Sequence, residues 1–246
     1  MPEAGTIQMN IRARPKRADA RPRPIACRDC DLNELCRLAV LIAHREGRER
    51  PAAGSFRMID SGTALFRFGD RATSLFAVRQ GMIKTVHLSE DGHERIIGFH
   101  VPGEVIGLEA FSFDTYRCEA IAVEHSVCCE LPVPRQPERL HVQGLLPAML
   151  DLLGAAVAPK VSLTRGSARE RVTRFLQDHG ERLRRRGLNG QRLRMSMSRS
   201  DIANLLDTRV ETVSRVLQQL HREKAIHVQG STIELIDLAR AEPAAP

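Results

Sequence analysis

Three cysteines fall within ten residues, Cys27, Cys30 and Cys36, in the spacing Cys-x2-Cys-x5-Cys. Thiolates so crowded repel one another, and a metal that shares their charge relieves the repulsion. Zinc suits a Cys-x2-Cys pair, but structural zinc usually draws four ligands from two such pairs, and the second pair is missing. Three clustered thiolates plus one from elsewhere suit a cubane iron–sulfur cluster. Cys118, Cys128 and Cys129 are the possible fourth ligands, and residue chemistry alone does not choose among them. The plain alternative is a set of unligated buried thiols.

A second constellation lies near the other end, in Arg209-Val210-Glu211-Thr212-Val213-Ser214-Arg215. Val210, Val213, Leu217 and Leu220 recur at helical spacing, so Glu211, Ser214, Arg215 and Gln218 share the other face. A carboxylate accepts from cytosine N4, a guanidinium clamps guanine O6 and N7, and a hydroxyl serves either kind of base. An amphipathic helix with an ordinary solvated face would show the same periodicity. The preceding segment weighs against that. Ser198 followed by Asp201 resembles a capping box that opens a helix through Leu206, and Asp207-Thr208-Arg209 separates it from the next, which is helix-turn-helix spacing. Ala225 to Val228, the turn Gln229-Gly230-Ser231, and Thr232 to Leu235 read as a hairpin wing. Arg182, Arg184, Arg185, Arg186, Arg192, Arg194 and Arg199 fall in a span without acidic residues and are read as phosphate contacts.

These sites need elements to hold them. The chain has 246 residues, room for two domains, and a formal net charge of +7 that fits a polyanionic partner. Its apolar run from Leu145 to Val157 is broken by Pro147, Asp151 and Gly154, and the N-terminus lacks the apolar core of a signal peptide, so a cytoplasmic protein without a membrane span is expected. In that compartment six cysteines do not read as a disulfide framework. Residues 1–26 read as a mobile basic arm, and residues 27–135 as the cysteine loop plus a sensor domain. In the latter, short strands such as Leu75-Phe76-Ala77-Val78 and Met82 to Val86 are punctuated by Gly and Asp, which argues for an antiparallel roll with apolar and polar residues alternating. His93-Glu94 lacks the second histidine of a metalloprotease motif. Residues 136–166, rich in leucine, read as a dimerisation helix with a weak point at Pro159, and residues 167–246 as a winged helix-turn-helix domain. The fold class is α+β.

The chain resembles the oxygen-sensing FNR (fumarate and nitrate reduction regulator) group of the cyclic-AMP receptor protein superfamily, from Cys27 to about Leu238. The likeness rests on the cysteine run, on Leu65-Phe66-Arg67-Phe68-Gly69-Asp70, on Gly98 to Glu104, on Val127-Cys128-Cys129-Glu130-Leu131-Pro132, and on Val210 to Arg215. The resemblance implies an oxygen-labile 4Fe-4S cluster held by Cys27, Cys30, Cys36 and Cys129, with Cys129 in the family's Cys-Glu-Ile-Pro position. It implies base contacts from Glu211, Ser214 and Arg215, with Arg209 and Thr212 beside them, to TTGAT-type half-sites arranged as a palindrome. It further implies a homodimer, and an RNA polymerase contact from the hairpin around Ser89 to Glu94. Three departures stand out: Cys128 beside Cys129, Asp207 in place of the usual glycine at the helix-turn-helix corner, and a shorter segment between Pro132 and Ala168. Asp tolerates the left-handed conformation that the corner demands.

Two other readings are open. The same fold could answer a cyclic nucleotide or act without a cofactor, with Arg117 near the place that holds the nucleotide phosphate in superfamily relatives. Leu108 and Cys118 stand where those relatives carry a ribose-binding Glu and a Ser. An iron–sulfur redox protein is the other, and an enzyme is not expected, because no phosphate loop, nucleophile elbow or dinucleotide fingerprint is present.

Overall fold

The computed structural model describes residues 56–89, 91–132 and 163–238. The cysteine run at Cys27, Cys30 and Cys36, the basic arm, most of the dimerisation segment and Pro159 lie outside the described residues. Eight strands form the roll: β1 (Phe56–Ile59), β2 (Ala64–Phe66), β3 (Ser74–Gln80), β4 (Ile83–Leu88), β5 (Glu94–His100), β6 (Val105–Ile106), β7 (Glu119–Ala122) and β8 (Ser126–Pro132). They pair antiparallel into two four-stranded sheets, β1-β8-β3-β6 and β2-β7-β4-β5. The turn into β4 requires a glycine. Gly81 has φ +82, and a Cβ there would sit 2.3 Å from Ser126 Oγ, which bonds both the backbone N–H and the carbonyl of Met82.

The inner faces of the sheets meet over Phe66, Phe76, Val78, Ile83, Ile106, Tyr116, Ala120 and Cys128. β3 departs from the alternation expected of it. Ser74 through Val78 are all buried, so the strand is covered on both faces and reads as a continuous apolar run.

The C-terminal part contains α1 (Ala168–Arg184), β9 (Arg192–Arg194), α2 (Arg199–Leu205), α3 (Val210–Arg222), β10 (Ile226–Gln229) and β11 (Thr232–Leu235). Ser167 and Ser198 each close a complete capping box, with Glu170 and Asp201 respectively. The wing is a hairpin with β10 against β11, as the sequence suggests, but β9 joins it as a third strand inside the arginine-rich stretch. Burial corrects the stripe on α3: Val213, Val216, Leu217 and Leu220 are buried, whereas Val210 at the first position is exposed.

The two parts share a core. Met82, Val86, Ile96, Phe99 and Val101 of the roll belong to one buried cluster with Phe175, Leu176, Leu206, Val213 and Leu220. Phe99 meets Phe175 edge to face at 6.2 Å between ring centroids. Beside them Arg182 of α1 reaches Glu104, between β5 and β6, through two hydrogen bonds of 2.8 and 2.6 Å, and also donates to Phe99 O. Burial by itself pushes the Glu104 carboxyl upward, but the hydrogen bonds and charge of Arg182 hold it below the usual range.

Candidate functional site

The helix-turn-helix is built by α2 and α3. Its corner residue Asp207 adopts φ 52, the left-handed conformation that the replaced glycine would supply. Arg171 of α1 donates through Nη1 to Asp207 O at 3.1 Å and so pins the corner from behind. Arg169 clamps Glu223 at the far end of α3 with two bonds, of 3.0 and 2.6 Å. The scaffold is therefore held at both ends of the recognition helix.

With one face of α3 consumed by the core, Glu211, Arg215 and Gln218 are exposed on the other, and Thr212 and Ser214 are half-buried. Arg199 at the start of α2 donates to Ser214 Oγ at 3.2 Å, which brings a second guanidinium onto the same face. Unlike α1 and α2, α3 has no side-chain cap: Arg209 stands at its N-cap without a side-chain cap hydrogen bond, and although the Thr212 N–H bonds Arg209 O at 3.0 Å, the helix start can face an outside acceptor such as a phosphate. The five candidate residues Arg209, Glu211, Thr212, Ser214 and Arg215 thus come from one cap and two turns of one helix. Together they offer a carboxylate acceptor, two hydroxyls and two guanidiniums.

The arginine block divides into separate roles. Arg182 is not available to phosphate: its side chain is 18% exposed and bound by Glu104 and Asp178. Arg184 and Arg185 pair with Glu181 on the surface of α1. Arg192 and Arg199 remain exposed around the wing and α2, and Arg194, also exposed, lies 3.6 Å from Glu124. The block carries no acidic residue in sequence, yet acids outside it meet four of its seven arginines.

In the roll, the adjacent cysteines of β8 face opposite ways, because side chains alternate along a strand. Cys128 pairs with Val78 and lies fully buried in the roll core, where burial, with a smaller push from Cys129, drives its thiol up to about 12. Cys129 pairs with Ala77 and Phe56 and belongs to the other face of the sheet, beside buried Leu75, Ala77 and Leu131. Cys118 is a third case, buried with its thiol donating to Glu109 Oε1 at 3.1 Å. Among the described residues no cluster of three or more His, Cys, Asp or Glu could hold a metal.

Arg117, Leu108 and Cys118 are the positions to compare with a cyclic-nucleotide site. Arg117 is exposed, with its guanidinium 4.5 Å from the centre of the Phe113 ring rather than aimed into the roll. Tyr116 stacks on Phe66 at 3.8 Å and donates to Ser74 O at 2.6 Å, and Cys118 occupies the inner position beside it. Sequence reasoning missed Arg171, Lys84 and Asn204, whose partners lie 36, 117 and about 110 positions away.

Comparison with known proteins agrees with this anatomy. Residues 56–135 match the family described as a cyclic nucleotide-binding domain, and residues 170–240 match a Crp-like helix-turn-helix domain. The chain is 33% identical over 219 residues to the transcriptional activator protein anr of Pseudomonas aeruginosa, covering 86% of this chain and 88% of that protein. It is 30% identical over 219 residues to the fumarate and nitrate reduction regulatory protein of Yersinia pestis, covering 86% of each. The structure of FixK2 from Bradyrhizobium japonicum matches with a TM-score of 0.67 at 26% identity, over 78% of this chain and 99% of that one. Among the described residues no helix is long and apolar enough to cross a membrane. With both domains matched in order and relatives aligned over nearly their whole length, the chain belongs to the CRP/FNR family of DNA-binding transcription regulators.

Proposed function

We propose that this regulator senses oxygen in the cytoplasm through a 4Fe-4S cluster held by Cys27, Cys30, Cys36 and Cys129. As a homodimer it reads TTGAT-type palindromes and contacts RNA polymerase at the promoter. The observation that carries the sensor part is the opposite facing of Cys128 and Cys129. Among the described cysteines only Cys129 stands on the side of the sheet away from the roll core, and its apolar neighbours Leu75, Ala77 and Leu131 suit a centre kept from water. The donor set fits on chemical grounds: three clustered thiolates need a fourth, and Cys129 lies on the face of β8 opposite the roll interior. When bound, such a cluster supplies an oxidant-labile link between four thiolates.

The chain's own residues carry the rest. Cys129 would tie the Cys27 to Cys36 segment to β8, and ligation favours whichever conformation assembles all four thiolates. Arg171, Arg169 and Asp207 keep α3 presented, and Arg209, Glu211, Thr212, Ser214 and Arg215 read the major groove, with Arg199 beside them. Two copies place two such helices about one DNA turn apart, the spacing of a palindrome. A cyclic-nucleotide signal is disfavoured by the outward Arg117 and the filled core around Tyr116. The test is one anaerobic preparation assayed for binding to a TTGAT palindrome before and after exposure to air. Binding lost with the visible absorption supports the reading. Binding unaffected by air overturns it, and dependence on cyclic AMP would replace it.

A further inference from the structure

Strand β5 is the edge of its sheet, and edges leave unpaired backbone groups on their outer side. Two of those groups, Glu94 O and Ile96 N–H, are both taken by one side chain, the carboxamide of Asn204 on α2. Its Nδ2 donates to Glu94 O at 2.9 Å, and its Oδ1 accepts from Ile96 N at 2.7 Å. An amide that bonds the carbonyl of one residue and the N–H two residues on imitates a neighbouring strand. The pattern also settles its orientation, since the reversed amide would set N–H against N–H and oxygen against oxygen.

One turn earlier, on the same face of α2, Asp201 receives Lys84 Nζ of β4 at 2.7 Å through Oδ1. Its Oδ2 meanwhile completes the capping box with Ser198. Both groups of the pair are about four-fifths buried. The first helix of the DNA-reading motif is therefore gripped by two adjacent strands of the sensor roll, while Glu211 and Arg215 on the next helix stay exposed. The grip leaves the reading surface open.

We propose that Asn204, supported by Lys84–Asp201, is a positioning residue for DNA recognition: it sets the angle of the helix-turn-helix relative to the roll. This rests on the proposed reading of a palindrome by a dimer. A single motif can follow its own half-site whatever its angle. Two motifs must meet half-sites at a fixed separation, so a loosened angle costs affinity only where both are engaged at the right spacing.

The experiment uses the full chain under anaerobic conditions, as wild type, Asn204→Ala and Lys84→Met. Fluorescence anisotropy follows binding to a TTGAT palindrome, to the same palindrome with one base pair inserted, and to a duplex with a single half-site. Hydrogen exchange of the Ile96 amide is read on the same samples. For Asn204→Ala the expected result is palindrome affinity lowered about tenfold, the equivalent of two neutral hydrogen bonds, with little change on the other two duplexes and faster exchange at Ile96. Lys84→Met should move spacing preference in the same direction by a smaller factor. Equal loss on all three duplexes, an unchanged preference for spacing, or tighter binding by either variant would overturn the proposal. Wild type that binds none of the duplexes would overturn the regulator reading and this role with it, and the exchange contrast at Ile96 would show that the fault lay there rather than in the contact.

Discussion

Replacing Arg182 with Met should be among the most damaging single changes in the described residues. The guanidinium has a side-chain exposure of 18%, and it bonds Glu104 twice, Asp178 at 3.3 Å, and Phe99 O. Methionine keeps much of the packing but leaves the Glu104 carboxylate, itself 19% exposed, with the Val101 N–H at 3.1 Å and the His100 ring at 3.9 Å in place of a guanidinium. Removing one partner of a buried pair costs about 3–5 kcal/mol, because the other charge stays behind. For a chain of this size that lowers Tm by roughly 10 °C. The protein contains no tryptophan and one tyrosine, so urea unfolding is best followed by far-UV circular dichroism. Glu104→Gln combined with Arg182→Met should recover about 2 kcal/mol, since the stranded charge is then gone. A cost below about 1 kcal/mol for Arg182→Met, the behaviour of an exposed pair, would refute the buried contact and with it the docking of the roll on α1.

Other predictions follow from single features. Asp207→Gly should be tolerated with little change, whereas Asp207→Val should cost about 1–2 kcal/mol, because φ is 52 there; chemical denaturation compares them. Ser198→Ala should lose about 1 kcal/mol with the capping box of α2, read by thermal unfolding. His179 is buried and held neutral, its pKa lowered to about 4 from 6.5 by burial first and by the charge of Arg182 second. The unfolded chain takes up that proton near 6.5 and the folded chain only near 4, so the stability from this group is complete above pH 6.5 and falls as pH drops toward 4. The loss is about 3 kcal/mol, and urea titrations across that range should show it in wild type and much less of it in His179→Leu.

What could be read from the sequence was local. The capping box at Ser198 and the left-handed corner at Asp207 are each written within a few residues, and both α2 and α3 lie where spacing puts them, whereas the matching box at Ser167 was not read. Strand alternation could also have separated Cys128 from Cys129, had the core side of β8 been known. The roles of the arginines were not legible. Arg182 meets an acid 78 positions away, and nothing nearby distinguishes it from Arg184 or Arg185, which stay on the surface. β9 was hidden because three residues carry almost no periodicity, and Asn204 because its partners are backbone groups, which have no sequence signature at all. On α3 the core stripe began one turn later than expected: Val210 is exposed at the helix start, and Val216 is buried instead.

The most direct test of the central claim is the iron and sulfide content of anaerobically purified wild type, Cys128→Ala and Cys129→Ala, with palindrome binding measured on the same samples. About four irons and four sulfides per chain are expected in wild type and in Cys128→Ala, and neither cluster nor anaerobic DNA binding in Cys129→Ala. A Cys129→Ala protein that keeps both, or a Cys128→Ala protein that loses both, would contradict the assignment of the sensor site to the outer face of β8.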